Sequence, residues 1–289
     1  MAQLATDEQP DIILAEPVGS CTDLVATVVQ PMKDLYRERF QVAPYAVLFK
    51  PSHGLKILRN EGSGFSPKAA YIFRKQLEEA DAIVINRIDE MSSEQVSEIA
   101  ALVEKEYPGV PIIRMSAKTG SGFAALAELL SQDGAFGAKI LDIDYDIYAE
   151  GEAELGWLNM SVHLQSESAF AIDDLLLEVV RELSGRLAAD GGEVAHLKVI
   201  GLSEASFGVA NLVSSTTSAE LSLASKAEVR EVDLIVNARV AMDPTLLEAE
   251  VRKIVASSCE KRTITPTFRD SQSLRPGRPT PTHRYASGV

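Results

Sequence analysis

The 289-residue chain contains two cysteines, Cys21 and Cys259, which are too few for a disulfide framework and are typical of a reducing compartment. It lacks any apolar run of the ~18–20 residues that a membrane-spanning helix needs, and its acidic N-terminus has no apolar signal core. A formal net charge of −14 argues against nucleic-acid binding and against docking on anionic membranes. The composition therefore predicts a cytoplasmic protein of about two domains, with neither nucleic acid nor membrane as a partner.

Several motifs that carry chemistry are also missing. No Cys-x-x-Cys accompanies either cysteine, so a thiolate metal site is not expected, and no G-x-S-x-G nucleophile elbow occurs. The acidic run from Asp142 to Glu154 fails as a calcium loop, because Ile147 stands where the loop needs glycine and Ala153 where it needs a bidentate glutamate. Acidic residues alternate there with apolar ones, which favours a solvated strand face.

The first half of the chain alternates apolar runs with amphipathic segments. Strands are predicted at 12–15, 46–49, 82–85 and 110–113, and helices at about 22–39, 66–80, 92–106 and 122–131. Apolar runs without alternation are typical of strands buried on both faces, as in a parallel sheet covered by helices. Ser66 followed by Pro67 predicts the start of one helix. The pattern predicts a doubly wound α/β domain over residues 1–140.

From about residue 158 the hydrophobic period changes to two, which predicts an antiparallel sheet with one covered and one open face. The predicted elements are strands at 158–165 and 232–240 and helices at about 168–189 and 244–259. Their order resembles a split βαβ module. The sequence thus predicts a smaller α+β domain over 158–260, joined to the first domain by an acidic linker over 141–157.

Two further features of the second half concern partners. The open sheet face would carry His163, His196, Lys198, Asn237 and Arg239. These residues fit either an ordinary polar face or a surface for a metal, a corrinoid or a client protein. The tail, 261–289, holds four prolines, six basic residues and one acidic residue, a net charge of +5. It is expected to be disordered, to lie back on the acidic body, or to bind a partner.

Two polar segments follow neighbouring predicted strands and together suit guanine recognition. In the first, Asn86-Arg87-Ile88-Asp89, the Asp89 carboxylate can accept from both the ring N–H and the amino group of guanine, and Asn86 would brace the loop. In the second, Ser116-Ala117-Lys118, the Ala117 N–H can bond the guanine carbonyl while the Lys118 stem packs on the ring. Alone, Asn and Asp are also common loop starters. Their joint occurrence at strand ends, where open α/β sheets bind ligands, indicates a guanine site.

The first predicted strand ends in Glu16-Pro17-Val18-Gly19. Glu16 could hold a metal-bound or attacking water beside Mg²⁺, and Gly19 would let a backbone N–H approach a γ-phosphate. The alternative is a strand that ends in a plain turn, with Cys21 as a small buried apolar residue.

These segments resemble the CobW/HypB/UreG family of metallocofactor-maturation GTPases. The resemblance rests on E-x-x-G at Glu16–Gly19, N-[KR]-x-D at Asn86–Asp89 and S-A-K at Ser116–Lys118, with the second domain similar in architecture. It implies a P-loop-NTPase-type sheet, binding of GTP or GDP with Mg²⁺, and slow GTP hydrolysis. It also implies coupling to delivery of zinc, nickel or a cobalt corrinoid to a client metalloprotein or cofactor enzyme.

Two departures from the family pattern limit these expectations. The sequence has no G-x-x-x-x-G-K-[ST], since the dipeptide Gly-Lys never occurs, and the family's C-x-C-C metal motif is absent too. The chain thus resembles an N-terminally truncated member whose strand at 12–15 has lost its phosphate-loop neighbour. A first sheet of about four strands, exposure of Ile12–Leu14, self-association and weak GTP binding are therefore expected. The chain could be a GTPase, a nucleotide-dead scaffold or an inactive fragment.

Overall fold

The structure is a computed structural model that describes residues 10–61, 66–213 and 217–289, so most of the N-terminal stretch lies outside the described residues. The chain divides into two compact units: Met1–Tyr148 with Arg278–Val289, and Ala149–Gly277. Within the described residues, no helix combines the length and the apolarity that crossing a membrane requires.

The first unit is built on a parallel sheet of three strands in the order β1-β2-β3. Its elements in chain order are a π-helical turn (Val25–Val29), α1 (Gln30–Leu35), β1 (Ala46–Phe49), α2 (Pro51–Leu58), α3 (Pro67–Glu79), β2 (Ala82–Ile85), a 3-10 turn (Ile88–Glu90), α4 (Ser93–Glu106), β3 (Ile112–Arg114) and α5 (Phe123–Leu130). All four residues of β2 are fully buried, as a central strand covered on both faces requires. A further helix, α6 (Tyr145–Glu152), spans the division between the units.

The second unit is an antiparallel sheet of six strands covered on one face by two helices. Its elements are β4 (Gly156–Ala171), α7 (Ile172–Ala189), β5 (Glu193–Leu202), β6 (Phe207–Leu212), β7 (Glu220–Leu223), β8 (Glu228–Ala241), α8 (Pro244–Glu260) and β9 (Thr265–Leu274), with strand order β7-β6-β5-β8-β4-β9. Alternate residues of β4 and β8 are buried against α7 and α8. The predicted α/β class with a separate antiparallel sheet is confirmed.

The starts of two helices are marked in the sequence by a capping residue. The Ser66 side chain accepts from the N–H groups of Lys68 and Ala69 at the start of α3, and Asp243 does the same at the start of α8. The helix α2, which begins directly after β1, was not predicted.

Two local predictions were wrong, and the first sheet has three strands among the described residues instead of about four. Residues 12–15 form no strand, although the expected exposure of Ile12 and Leu14, at 74% and 78%, is confirmed. A buried strand needs a neighbouring strand to pair with. None of the three described strands of the first sheet pairs with residues 12–15. The acidic run expected as a strand face contains α6. The tail, expected to be disordered, to lie back on the acidic body or to bind a partner, contributes β9 to the edge of the second sheet.

Candidate functional site

The carboxyl ends of β2 and β3 meet at one edge of the first sheet and carry the candidate site. Asn86–Asp89 follows β2 directly, and Ser116–Gly120 follows β3 after Met115; we call these two segments the base loops. The strands are paired in parallel with Ile85 opposite Arg114. The N–H of Ile88 donates to the carbonyl of Met115 at 3.2 Å, which joins the two loops through the backbone.

Asn86 connects the base loops through its side chain. Its Oδ1 accepts from the N–H of Arg87 at 2.8 Å and from the N–H of Ala117 at 3.0 Å. The hydrogen bond from Ala117 joins positions that are 31 residues apart in the chain. The same contact engages the Ala117 N–H that was expected to bond guanine, so a guanine carbonyl would be a second acceptor for that group.

Asp89 and Ser116 form the acidic part of the site. A hydrogen bond from the Ser116 hydroxyl to the Asp89 carboxylate holds the pKa of Asp89 below its usual range, and the nearby charges of Lys118 and Arg87 act in the same direction. Ser116 is fully buried, whereas Asp89 is exposed. An ionised, exposed carboxylate fixed by a buried hydroxyl is a ready acceptor for two N–H donors.

The second base loop is shaped by a tight turn. The N–H of Ser116 donates to the carbonyl of Ser121 and that of Gly120 to Ser116, both at 2.9 Å. Gly122 follows with φ of +76°, and a Cβ there would lie 2.2 Å from the carbonyl oxygen of Arg114. Glycine is the residue that fits this position, because it tolerates positive φ and close backbone approach.

Two basic residues, Arg87 and Lys50, lie at the same edge of the sheet. Arg87 has a left-handed backbone with φ of 61°, and its Nε donates to Glu90 at 2.9 Å. Lys50 is the first residue after β1, next to β2 in the sheet, and burial together with the charge of Arg87 lowers the pKa of its amine to about 8. Sequence reasoning missed Lys50, although its place directly after a predicted strand was a usable signal.

The structure does not bring Glu16 and Gly19 to the base loops. The Gly19 carbonyl accepts from Gln76 Nε2 at 2.8 Å, and Gln76 lies near the end of α3, where the chain is about to enter β2. Asn86 follows the opposite end of β2, a strand about 13 Å long at roughly 3.3 Å per residue. A Cβ on Gly19 would meet open space, so no close approach requires glycine there. Without a strand at 12–15, the segment is not anchored at the carboxyl edge.

Metal ligands are not assembled in the part of the chain that the structure describes. Nowhere in it do three His, Cys, Asp or Glu side chains come together as a metal site. Glu16, the predicted Mg²⁺ residue, is exposed. The described residues therefore assemble no Mg²⁺ site around Glu16.

A second cluster lies at the turn that precedes α1 and was missed entirely. Asp23 and Glu79 are both 1% exposed. Glu79 accepts from the Thr22 hydroxyl and the Val25 N–H, each at 3.2 Å, and burial raises its pKa to about 7. Arg284 of the C-terminal segment bonds Asp23 at 2.8 Å. The pairing joins positions 261 residues apart, for which the sequence offers no signal.

The open face of the second sheet holds the predicted polar residues in cross-strand pairs. His163 Nδ1 lies 2.9 Å from Asp233 Oδ1, which also accepts from Arg269 at 3.1 Å. Arg239 is directly opposite Trp157, and its guanidinium lies 4.1 Å from the ring centre. Its Nη1 also donates to the carbonyl of Ala238 at 2.8 Å. Arg239 is therefore packed into the sheet surface rather than projecting from it.

Comparison with known proteins gives little beyond these observations. No protein-family model matches the chain, and no curated protein matches it. Two solved structures do: a Zn(II)-bound YjiA GTPase from E. coli, at 14% identity and a TM-score of 0.25, and a Zn(II)-bound triple mutant of that GTPase, at 14% identity and 0.24. Each match covers 80% of this chain and 66% of the other, so the chain spans just under two thirds of their length. At these TM-scores the function has to be argued from the site itself.

Proposed function

We propose that the base loops bind a guanine nucleotide by its base. The observation that carries this is the hydrogen bond from the Ala117 N–H to Asn86 Oδ1 at 3.0 Å, which holds the two loops side by side. It sets the exposed Asp89 carboxylate beside the Ser116–Lys118 backbone at a sheet edge where open α/β folds bind ligands. Asp89 would accept from the ring N–H and the amino group of guanine, and adenine offers no such pair of donors on that edge.

Binding of the triphosphate is proposed to be weak. A phosphate-binding loop with its lysine normally supplies most contacts to the β- and γ-phosphates, and the sequence contains no such motif. Each missing charge-assisted hydrogen bond is worth roughly 1.5–3 kcal/mol. The resemblance also implies GTP hydrolysis and delivery of zinc, nickel or a corrinoid. The described residues contain no group of three His, Cys, Asp or Glu side chains that could hold a metal ion, so the ligand that we propose is the nucleotide.

Substitution of Asp89 by Asn tests this proposal through base selectivity. We expect Asp89→Asn to weaken GDP binding roughly tenfold to a hundredfold, because one of two acceptors for guanine becomes a donor. The same change should improve binding of xanthosine diphosphate, whose second carbonyl can accept from the new amide. Calorimetry with GDP, ADP and xanthosine diphosphate measures all three affinities.

The matched control for this experiment is Asp142→Asn, an exposed carboxylate in the same unit. It should leave all three affinities unchanged. Equal binding of GDP and ADP by the unaltered chain would contradict the proposal, as would micromolar GTP binding that Asp89→Asn does not alter.

A second candidate function is partner binding by the open sheet face. The observation that favours it is that α7 and α8 bury the opposite face of the sheet, leaving a row of half-buried polar pairs on this one. The occupant would be a client protein or a second copy of the chain. Lys198→Glu should weaken such an association, measured by cross-linking and sedimentation, without lowering the melting temperature; unaltered association would reject the candidate.

Arg239 is expected to behave differently from Lys198 on the same face. Arg239→Glu should destabilise the second unit by about 2 kcal/mol, because it removes the cation–π contact with Trp157 and leaves a carboxylate beside backbone carbonyls. Trp157 is the single tryptophan, so its fluorescence in a urea titration reports the change directly. Equal urea midpoints for Arg239→Glu and Lys198→Glu would show that the stacking contributes nothing.

A further inference from the structure

Lys50 follows β1, whose carboxyl end adjoins the first base loop. β1 and β2 pair in parallel with Phe49 opposite Ile85, and the N–H of Asn86 donates to the carbonyl of Phe49 at 3.4 Å. Lys50 and Asn86 are therefore the first residues beyond two paired strand ends, on strands about 4.8 Å apart. Its position in the sheet, rather than any sequence motif, places this lysine beside the proposed site.

The charges around Lys50 favour an anion. The amine is half-buried, and the cation that acts most strongly on it is Arg87, the residue after Asn86; Glu90 opposes this effect. Burial and the Arg87 charge lower the pKa of Lys50 to about 8, even though Glu90, which is paired with Arg87, acts in the opposite direction. A phosphate beside Lys50 would add negative charge where burial and Arg87 disfavour the charged amine.

The strand order identifies the strand that lies on the far side of β2 from the base loop after β3. The base is assigned to the ends of β2 and β3, and among the described strands the neighbour on the far side of β2 is β1. A ribose phosphate that extends from the base along the sheet edge toward β1 therefore arrives at Lys50 and Arg87.

We propose that Lys50, together with Arg87, binds the phosphate group attached to the ribose of the guanine nucleotide. The proposal rests on the proposed function for the base and adds a phosphate contact that the missing phosphate-binding loop does not supply. It makes Lys50 a determinant of the preference for a nucleotide over a nucleoside.

The test compares GMP, guanosine and inorganic pyrophosphate by calorimetry on the full chain. We expect the unaltered chain to bind GMP about tenfold more tightly than guanosine. Lys50→Met should bring GMP to the affinity of guanosine and abolish pyrophosphate binding, while guanosine itself is unaffected. Lys50→Arg should retain most of the advantage of GMP, because the charge is kept. Lys56→Met, an exposed lysine on α2, is the matched control and should change nothing.

The outcomes separate this inference from the proposed function. If guanosine binds and Lys50→Met leaves the preference for GMP intact, the role of Lys50 is overturned while the base site stands. If pyrophosphate binding depends on Lys50 but guanosine does not bind, the anion site stands and the base site is overturned. If neither guanosine nor pyrophosphate binds, both are overturned. Circular dichroism of each variant checks that the loss does not come from unfolding.

Discussion

Replacing Arg284 with alanine is expected to destabilise the first unit by about 3 kcal/mol, the effect typical of removing one partner from a buried ion pair. Arg284 Nε donates to Asp23 Oδ2 at 2.8 Å, and Nη2 donates to the carbonyl of Leu141 at the same distance. Asp23 is 1% exposed, so its carboxylate would lose its cationic partner while remaining out of water. The Tyr145 hydroxyl, which donates to Asp23 at 2.5 Å, limits the loss.

Arg278→Ala is the matched control within the same C-terminal segment. Arg278 Nε lies 2.6 Å from Asp146, but both side chains are more than half exposed, and exposed ion pairs contribute about 0–1 kcal/mol. Amide hydrogen exchange in the peptides covering residues 22–35 is the suitable measurement, because the single tryptophan belongs to the other unit. Exchange there should accelerate strongly in Arg284→Ala and slightly in Arg278→Ala.

A double substitution separates the ion pair from simple packing. In Arg284→Met with Asp23→Asn, both charges are gone and the tyrosine hydroxyl still has an acceptor, so the double variant should be more stable than Arg284→Met alone. If Asp23→Asn restores nothing, the buried charge is not what Arg284 stabilises. Equal exchange rates in Arg284→Ala and Arg278→Ala would also contradict the prediction.

The sequence was informative where local chemistry decides the structure. The strand at 82–85 could be predicted because a central parallel strand is apolar on both faces. The same apolar composition located the strand at 46–49, although it is an edge strand on which Leu48 is exposed. The helix starts at Ser66 and Asp243 could be predicted because a cap is a short-range contact. The base loops were found because their residues follow neighbouring strands of one sheet.

Contacts that depend on a segment far away in the sequence could not be predicted. The apolar segment at 12–15 has the composition of a strand, yet strand formation also requires a paired neighbour, which its own residues cannot specify. β9 was missed for the opposite reason: an edge strand needs few apolar residues, and most of its side chains are polar. The basic character of the tail was visible, but nothing in the sequence distinguishes Arg284, which meets a buried carboxylate, from Arg278, which meets an exposed one.

Glu79 predicts how the stability of the first unit changes with pH. Its carboxyl is 1% exposed, and burial raises its pKa from an ordinary value of 4.5 to about 7, although it accepts hydrogen bonds from Thr22 and from the N–H groups of Val25 and Leu24. The negative charge of Asp23 acts in the same direction as burial. The folded state therefore binds a proton that the unfolded state has released between about pH 4.5 and pH 7. The contribution of Glu79 to stability is present below pH 4.5 and is lost as the pH rises to about 7.

We expect Glu79→Gln to remove this pH dependence. One pKa unit corresponds to about 1.4 kcal/mol. The difference in the free energy of unfolding between Glu79→Gln and the unaltered chain should therefore be larger at pH 7 and above than at pH 4.5, by up to about 3 kcal/mol in favour of the variant. Glutamine can keep both contacts, because its oxygen accepts from the Val25 N–H and its amide donates to the Thr22 hydroxyl. Hydrogen exchange of residues 22–35 between pH 5 and pH 8, corrected for the intrinsic rate, measures the difference.

The control is Glu78→Gln, on the same helix but exposed and paired with Lys75, which should keep the pH dependence of the unaltered chain. A difference between Glu79→Gln and the unaltered chain that stays constant with pH would mean that Glu79 is ionised throughout this range, and that Thr22 and the backbone N–H groups compensate fully for its burial.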